Sequence, residues 1–106
     1  MTTRTVTSPK LQSAQAPVQF DFTSLLTSSD TVASATVTAS VYSGTDASPS
    51  AIVSGSATVS ANGLIVTQLI INGVVGVIYE LLCLATTAAG YQLPLATYLV
   101  VQQDLP

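Results

Sequence analysis

The stretch of sequence that decides the fold alternates small apolar residues with hydroxyl-bearing ones. It reads Ala33-Ser34-Ala35-Thr36-Val37-Thr38-Ala39-Ser40-Val41-Tyr42. Successive side chains of a strand point to opposite faces, so this period of two predicts a strand with one buried face. The same period appears upstream, where Val18, Phe20 and Phe22 alternate with polar residues. Both stretches therefore predict half-buried strands.

Two later stretches, residues 64–71 and 74–85, are almost continuously apolar. Continuous apolar strands are typical of sheets in which both faces are covered. Shorter strands are predicted around residues 51–54 and 57–60, and a last strand over residues 93–102. Turn signals separate the strands, namely Ser28-Ser29-Asp30, residues 43–50, Asn62-Gly63 and residues 86–90. Six or seven short strands at this spacing predict an antiparallel sandwich.

The connection between the two apolar stretches contains Asn72-Gly73, for which local turn rules favour a tight hairpin. Tyr79, however, follows Gly76 by three residues at the start of the penultimate strand. Ig-like sandwiches often place there a tyrosine whose hydroxyl bonds to the preceding backbone, and their corresponding connection crosses between the two sheets. The residues alone leave both connections open. They also leave open that Tyr79 is simply half buried in a strand.

We predict an all-β fold, an Ig-like antiparallel β-sandwich of about seven strands that covers residues 17–106. Residues 1–16 hold both basic residues, a proline and little apolar periodicity. We therefore predict that they form an extended N-terminal arm, with a disordered tail as the alternative.

Charged residues make up 7% of the 106-residue chain, with two Lys+Arg, five Asp+Glu and no His. An ordinary soluble domain carries about 25%. Two cations cannot neutralise a row of phosphates or hold a protein on an anionic membrane, so we expect neither nucleic acid nor membrane as a partner. The absence of His removes the most common general base and a ligand of most zinc sites.

The remaining reactive residues are scattered along the chain. Neither Lys10 nor a free amine on Thr2 has a carboxylate at a fixed short spacing, as an activated Ser or Thr would need. The carboxylates lack the spacing of a calcium loop; they are Asp21, Asp30, Asp46, Glu80 and Asp104. Cys83 lies among leucines with no cation nearby, so we expect a small buried apolar residue and no internal disulfide. We predict no catalytic, cofactor-binding or metal-binding residue, no cofactor and no small-molecule substrate; the protein is not expected to be an enzyme.

Residues 64–85 are long enough to form a transmembrane helix. Gln68, Asn72 and Glu80 interrupt this stretch, and most of its other residues are β-branched, which favours strands. After Arg4 no apolar run of the signal-peptide kind follows, so we expect the product to be made in the cytoplasm. A small membrane protein such as a holin is therefore the less favoured alternative.

Three blocks of sequence resemble the small Ig-like fiber-tail adaptor proteins of tailed bacteriophages. Residues 18–26 running into 30–34 are similar to that family's aromatic, Asp, aromatic, Ser/Thr, Leu stretch and its Asp-Thr-Ile/Val turn. Residues 71–79 resemble its paired small residues, glycine and tyrosine, and residues 86–90 resemble its Thr-Thr and Gly hairpin before a final strand that ends on valine. The chain departs from the family in three ways: it has no Trp, it has Asn72-Gly73 in place of a double glycine, and it has Tyr91-Gln92-Leu93-Pro94 in place of a charged hairpin.

The resemblance implies a non-catalytic structural virion protein of the phage tail, made in the bacterial host cytoplasm. It implies a homo-oligomeric ring that links the tail tube or tail adaptor to tail fibers or tailspikes. A head-decoration or carbohydrate-binding Ig-like module is the alternative. We further expect residues 1–16 to pair with a strand edge of a neighbouring subunit, and residues 43–50 to form a second contact surface, with a merely solvated loop as the alternative.

Overall fold

The computed structural model describes residues 3–6, 10–26 and 29–103. Within these residues, eight strands form two sheets, and there is one short 3₁₀ helix. The strands are β1 (Thr3–Val6), β2 (Lys10–Leu11), β3 (Ala16–Asp21), β4 (Val32–Ser43), β5 (Val53–Val59), β6 (Ile65–Ile70), β7 (Ile78–Thr87) and β8 (Gln92–Gln102), and the 3₁₀ helix is Pro49–Ile52. The predicted all-β class is confirmed.

The first sheet has the order β1-β8-β7-β4, with β2 also on the outer edge of β8, and the second has the order β3-β6-β5. β1 and β2 run parallel to β8. The other paired strands are antiparallel. The two sheets pack as a sandwich, and this strand order is consistent with the predicted Ig-like arrangement.

The core lies between the two sheets and is built by the alternation seen in the sequence. In β3, Val18 and Phe20 point inward while their neighbours are exposed. In β4, as predicted, Ala35, Val37, Ala39 and Val41 face the core and the hydroxyl-bearing residues are exposed, whereas Ala33, at a register shift, is exposed. Every second residue of β7 from Tyr79 to Ala85 is fully buried against this core.

The connection after β6 crosses from the second sheet to the first, so Asn72-Gly73 is not a hairpin. Both residues have positive φ, 52° and 105°, so the local turn signal is genuine. A turn does not by itself decide which strand follows, and here β7 pairs with β4 and β8. Residues 74–77, which we expected to be strand, belong to this connection.

The segment before β6 also differs from expectation. We predicted two short strands at 51–54 and 57–60, but residues 49–52 form the 3₁₀ helix and one strand, β5, follows. The ladder between β5 and β6 shifts register between Ser54 and Thr58, next to Gly55 with φ 71°. β5 has two extra residues here, and such an insertion bends a strand, so the polar and glycine residues that suggested a break mark a β-bulge.

Residues 65–70 and 78–87, which contain most of the candidate membrane span, are strands of two different sheets. Among the described residues, no helix has the length and apolar character needed to span a membrane.

Candidate interaction surfaces

Tyr79 ties two loops together at one end of the sandwich. Its Oη accepts a hydrogen bond from the Val74 amide at 2.9 Å and donates one to Asp46 Oδ2 at 2.6 Å. The bond to the preceding backbone is the one that the position of Tyr79 predicted. The bond to Asp46, on the loop that follows β4, was not predicted, because the two residues lie 33 positions apart.

This contact changes the acidity of both side chains. Burial, together with the hydrogen bond to Asp46, raises the pKa of Tyr79 to about 12. The hydrogen bonds from Tyr79 and from the Ser48 amide lower the pKa of Asp46 below its ordinary value. The neutral hydroxyl and the ionised carboxylate are therefore the forms that the fold stabilises.

Residues 43–50, the predicted second contact surface, are mostly exposed; they run from the last residue of β4 into the 3₁₀ helix. Within this loop Asp46 accepts a hydrogen bond from the Ser48 amide, and it accepts a second one from the Tyr79 hydroxyl, which attaches the loop to β7. The exposed valines of the neighbouring connection, Val74 and Val75, lie at the same end of the sandwich. A role in binding a partner stays a prediction for this loop.

The Lys10 side chain is buried, although it carries one of the chain's few positive charges. Its Nζ donates to the carbonyl oxygens of Leu11 (2.8 Å), Gln12 (2.9 Å) and Asn72 (2.7 Å). A buried ammonium is tolerated when hydrogen bonds replace its hydration, and carbonyl dipoles do so here. Lys10 therefore joins the segment around β2 to the connection between β6 and β7.

Replacing Lys10 with methionine is expected to loosen this junction while keeping the length of the side chain. Hydrogen bonds to charged groups contribute about 1.5–3 kcal/mol each, partly offset by the cost of burying the charge. We expect hydrogen exchange in the peptide that contains residues 10–14 to accelerate about tenfold or more, measured by mass spectrometry. Gln12→Ala removes only an exposed contact of 3.3 Å to the Gly73 carbonyl and is the matched control. Equal exchange in Lys10→Met and the unsubstituted protein would contradict this function of the ammonium.

The predicted N-terminal arm contributes two strands to the edge of the first sheet. Thr3–Val6 pairs with Leu95–Tyr98, and Lys10–Leu11 pairs with Val101–Gln102. Residues 1–2 and 7–9 of the arm lie outside the described residues. The division at residue 16 and the pairing with a neighbouring subunit stay predictions.

The side of the first sheet that points away from the core carries an apolar patch on β7 and β8 beside a row of exposed hydroxyl-bearing residues on β4, Ser34, Thr36, Thr38 and Ser40. We call this side the outer face and define it by the outward side chains of β4, β7 and β8. Its half-buried or exposed apolar members are Tyr42, Ile78, Leu82, Leu84, Pro94, Tyr98 and Val100, and Ala96 on the same face is buried. The rings of Tyr42 and Tyr98 meet with their centroids 4.5 Å apart.

A small open cleft of about 270 Å³ lies at the end of the sandwich opposite Tyr79. Leu25, Leu93 and the exposed Tyr91 give it an apolar lining, with Asp30 at its side. Asp30 Oδ1 accepts hydrogen bonds from the Thr31 and Ala89 amides, so this carboxylate holds the two loops that border the cleft.

The carboxylates remain separated in the fold. Asp21 binds the Thr23 hydroxyl and amide, and these two hydrogen bonds lower its pKa. Glu80 points outward from β7, and Asp104 lies outside the described residues. Within the described part of the chain, no group of three or more Cys, Asp or Glu side chains is placed to hold a metal ion.

Cys83 is fully buried in β7, as expected for a small apolar residue, and burial raises the pKa of its thiol to about 12. A thiol that stays protonated is a poor nucleophile and a poor metal ligand. The side chain therefore serves packing between the two sheets.

Folding stability is expected to fall as the pH rises above about 9. The pKa of Cys83 is raised from 9.0 and that of Tyr79 from 10.0, each to about 12. The folded state holds both protons more tightly than the unfolded state, so each contribution is complete below the ordinary pKa and is lost as the pH rises toward 12. Urea denaturation at increasing pH measures this decline. In Cys83→Ala the decline should begin about one pH unit later, where Tyr79 starts to ionise in the unfolded chain; an unchanged profile would contradict the contribution of the thiol.

Residues 10–98 match the family model described as podophage GP4 fiber-tail adaptor protein gp77. The match begins at Lys10, includes β2 to β7 and ends within β8. No curated protein and no solved structure matches the chain.

Proposed function

The chain belongs to the podophage fiber-tail adaptor family, and from this membership we propose that it is a non-catalytic ring subunit linking the phage tail to its fibers. Family membership supports a structural role in the tail and a place in the virion. Three parts of this function are proposals: the ring, the attachment to tail tube or tail adaptor on one side, and the attachment to fibers or tailspikes on the other.

The observation that carries the proposal is the match of residues 10–98 to the adaptor family, and the apolar patch of β7 and β8 on the outer face supports it. A contiguous exposed apolar surface on a small domain is typical of an interaction site. A subunit that is enclosed by neighbours also benefits from a low content of charge, because burial of an unpaired charge costs several kcal/mol. The scarcity of charge and the outer face therefore both favour a protein that works within an assembly.

Electron microscopy of intact virions tests the proposed location. Particles that carry a tagged copy should show extra density at the tail where the fibers attach. Particles that lack the protein should lack this density. Particles without the protein should also lose their fibers. A density difference at the capsid would contradict the adaptor role and support head decoration.

The proposed function of the arm needs a separate test. β1 and β2 form their ladders with β8 alone among the described strands, so the same backbone pairing is available on the β8 edge of a neighbouring copy. Deletion of residues 2–14 should reduce particle assembly or fiber attachment while circular dichroism still reports strand structure. Normal assembly and attachment with the deletion would contradict the arm proposal without affecting the adaptor role.

A further inference from the structure

β4 is an edge strand that lacks the features by which proteins usually protect an edge. It runs over 12 residues, Val32–Ser43, and contains no proline, glycine or charged residue. Exposed edges are normally blunted by charges, by proline or by β-bulges, because their unpaired backbone groups can bind another chain. The register shifts of β4 lie before Ser34 and after Val41, at its two ends, so residues 34–41 form a regular edge.

The other strand edges of the two sheets carry such protection. β3 contains Pro17 and the exposed Asp21. β5 is interrupted by the bulge next to Gly55. The outer edge of β8 is covered by β1 and β2, which are short and contain Arg4 and Lys10. Among the described strands, β4 is therefore the unprotected edge.

The hydrogen bonds of β7 show which backbone groups of β4 are unpaired. The Thr87 amide donates to the Tyr91 carbonyl, and the Val77 carbonyl accepts from the Val101 amide. These bonds lie at the two ends of the β7–β8 ladder. Backbone groups alternate between the two sides of an antiparallel strand, so the odd-numbered residues of β7 face β8 and the even-numbered residues face β4.

The free side of β4 follows from this alternation. The even-numbered residues of β4 from Thr36 to Ser40 lie opposite the even-numbered residues of β7 and bond to them. The amides and carbonyls of Ala35, Val37 and Ala39 consequently point away from β7. No described strand pairs with β4 on that side, so each of these residues offers one donor and one acceptor to an incoming strand.

A groove of about 170 Å³ lies between β4 and β5 on this free side, and small residues such as Gly55 and Ala57 line most of it. The core residues on both walls are only half-buried, namely Ala35, Val37, Ala39 and Val41 on β4 and Val53, Ala57 and Val59 on β5. The inward residues of β7 are, by contrast, fully buried. The sandwich is therefore open on this side, and an added strand would close it.

Gln68 places a polar acceptor in the groove. Its side chain is 1% exposed and lines the groove beside the bulge of β5. Nε2 donates to the carbonyl oxygens of Ser54 (2.9 Å), Gly55 (3.2 Å) and Leu69 (3.1 Å). Oε1 accepts no hydrogen bond from the described residues, so this oxygen is available to a donor that enters the groove.

The surroundings of the groove are free of charge. No charged residue occurs between Asp30 and Asp46 or between Asp46 and Glu80 in the sequence, so β4, the 3₁₀ helix, β5 and β6 are all neutral. A charged side chain that entered the groove would be buried without an opposite charge, which is costly. The groove therefore fits an extended segment without charges, with small residues at every second position.

We propose that the free edge of β4 pairs with an extended, uncharged segment of a tail fiber, which closes the groove between β4 and β5. Addition of a strand to a sheet edge supplies backbone hydrogen bonds for affinity and side-chain pockets for specificity. The identity of the partner as a fiber rests on the proposed adaptor function. The site itself rests on the geometry of β4, β5 and Gln68.

A second copy of this chain is a poorer occupant of the groove. β1, β2 and β3, at its other edges, each contain a charged residue, and β5 is bulged. Pairing of β4 with the β4 of another copy would give a twofold pair, whereas a ring needs contacts between two different surfaces of its subunits. These features favour a different protein as the partner.

Purified particles that carry Ala39→Pro test the proposal. Proline removes the Ala39 amide, which points to the free side, and leaves the hydrogen bonds to β7 in place. We expect the number of fiber copies per copy of this protein to fall at least tenfold, measured by quantitative mass spectrometry. Unchanged fiber content would overturn the fiber as the occupant. Loss of this protein itself from the particles would overturn it too, because the groove would then hold the tail.

Gln19→Pro is the matched control. The Phe22 amide bonds to Leu64 on the side of β6, so by the same alternation the Gln19 amide points to the free edge of β3. This variant should keep its fibers. If circular dichroism shows that Ala39→Pro does not fold, Thr36→Lys adds a charge beside the groove instead, with Gln19→Lys as its control.

A capped eight-residue peptide of alternating valine and serine probes the site without the fiber. In NMR spectra of the labelled protein it should shift the backbone amide signals of Ala35, Val37 and Ala39 and the side-chain amide signal of Gln68. Absence of these shifts, or equal shifts along β3, would overturn the site. Density at the capsid in intact virions, with the peptide still bound at β4, would contradict the adaptor role and leave the site standing.

Discussion

Replacing Gly63 with alanine is expected to destabilise the domain by about 2–4 kcal/mol, from left-handed backbone strain and overpacking combined. Gly63 has φ 72°, and a Cβ added there would lie 2.6 Å from Thr31 Cβ. Gly63 lies where its loop meets the start of β4, because its carbonyl accepts a hydrogen bond from the Val32 amide at 2.8 Å. Thr31 Cβ is close to the backbone and cannot rotate away, so the start of β4 would have to move. Thermal or urea denaturation measures the loss.

Gly55 provides the control for this prediction. Its φ is 71°, nearly identical, but a Cβ there would have no atom within 4 Å. Gly55→Ala should therefore show only the cost of the left-handed conformation, about 1–2 kcal/mol. The difference between the two variants isolates the contact with Thr31. If both lose the same stability, the close approach of the two loops is not a constraint on folding.

Replacing Tyr79 with phenylalanine is expected to cost about 1–3 kcal/mol, because the two hydrogen bonds of this buried hydroxyl are lost. The Val74 amide and the Asp46 carboxylate are the two groups concerned. The ring itself remains, so the core keeps its volume and the measured change reports the hydroxyl. Tyr91→Phe, at a position that is 63% exposed, should change stability by no more than a few tenths of a kcal/mol.

The same variant should alter the response to acid. The pKa of Asp46 is lowered in the folded state, so its contribution to stability is present above the ordinary value of 3.8 and is lost as the pH falls through the lowered one. Tyr79→Phe removes the main cause of this shift. We expect its stability to depend less on pH below about 4 than that of the unsubstituted protein. Identical acid profiles would mean that the hydrogen bond to Asp46 is not maintained in solution.

Much of the fold could be predicted from local patterns. The alternation of residues 33–42 placed β4 correctly, because period two depends only on which residues are apolar. The continuous apolar stretches also gave two strands, β6 and β7, but their course could not be derived locally. Asn72-Gly73 signals a turn whether the next strand returns to the same sheet or crosses to the other. The wider packing decided that choice.

The contacts that define the candidate surfaces were less predictable. Lys10 reaches Asn72, 62 positions away, and Tyr79 reaches Asp46, 33 positions away. Contacts between residues so far apart leave no local sequence pattern from which they could be predicted. The rarity of cations drew attention to Lys10 but not to its partners. Residues 74–85 are almost continuously apolar, from which we expected both faces of this strand to be covered. The chain covers the inward face of β7, whereas Ile78, Leu82 and Leu84 on its outward face are half-buried or exposed.

The parallel pairing of β1 with β8 has a mechanical consequence. Thr3 is paired with Leu95 near the start of β8, and the chain leaves the sheet at the far end of β8, after Gln102. Tension between these two ends would pull the neighbouring strands past each other along their length. All the ladder bonds of β1 would then be loaded together in shear, so the strands could not be peeled apart one bond at a time. A subunit held at both ends would resist forced unfolding through these edge strands until they give way, at a rate set by the unfolding barrier.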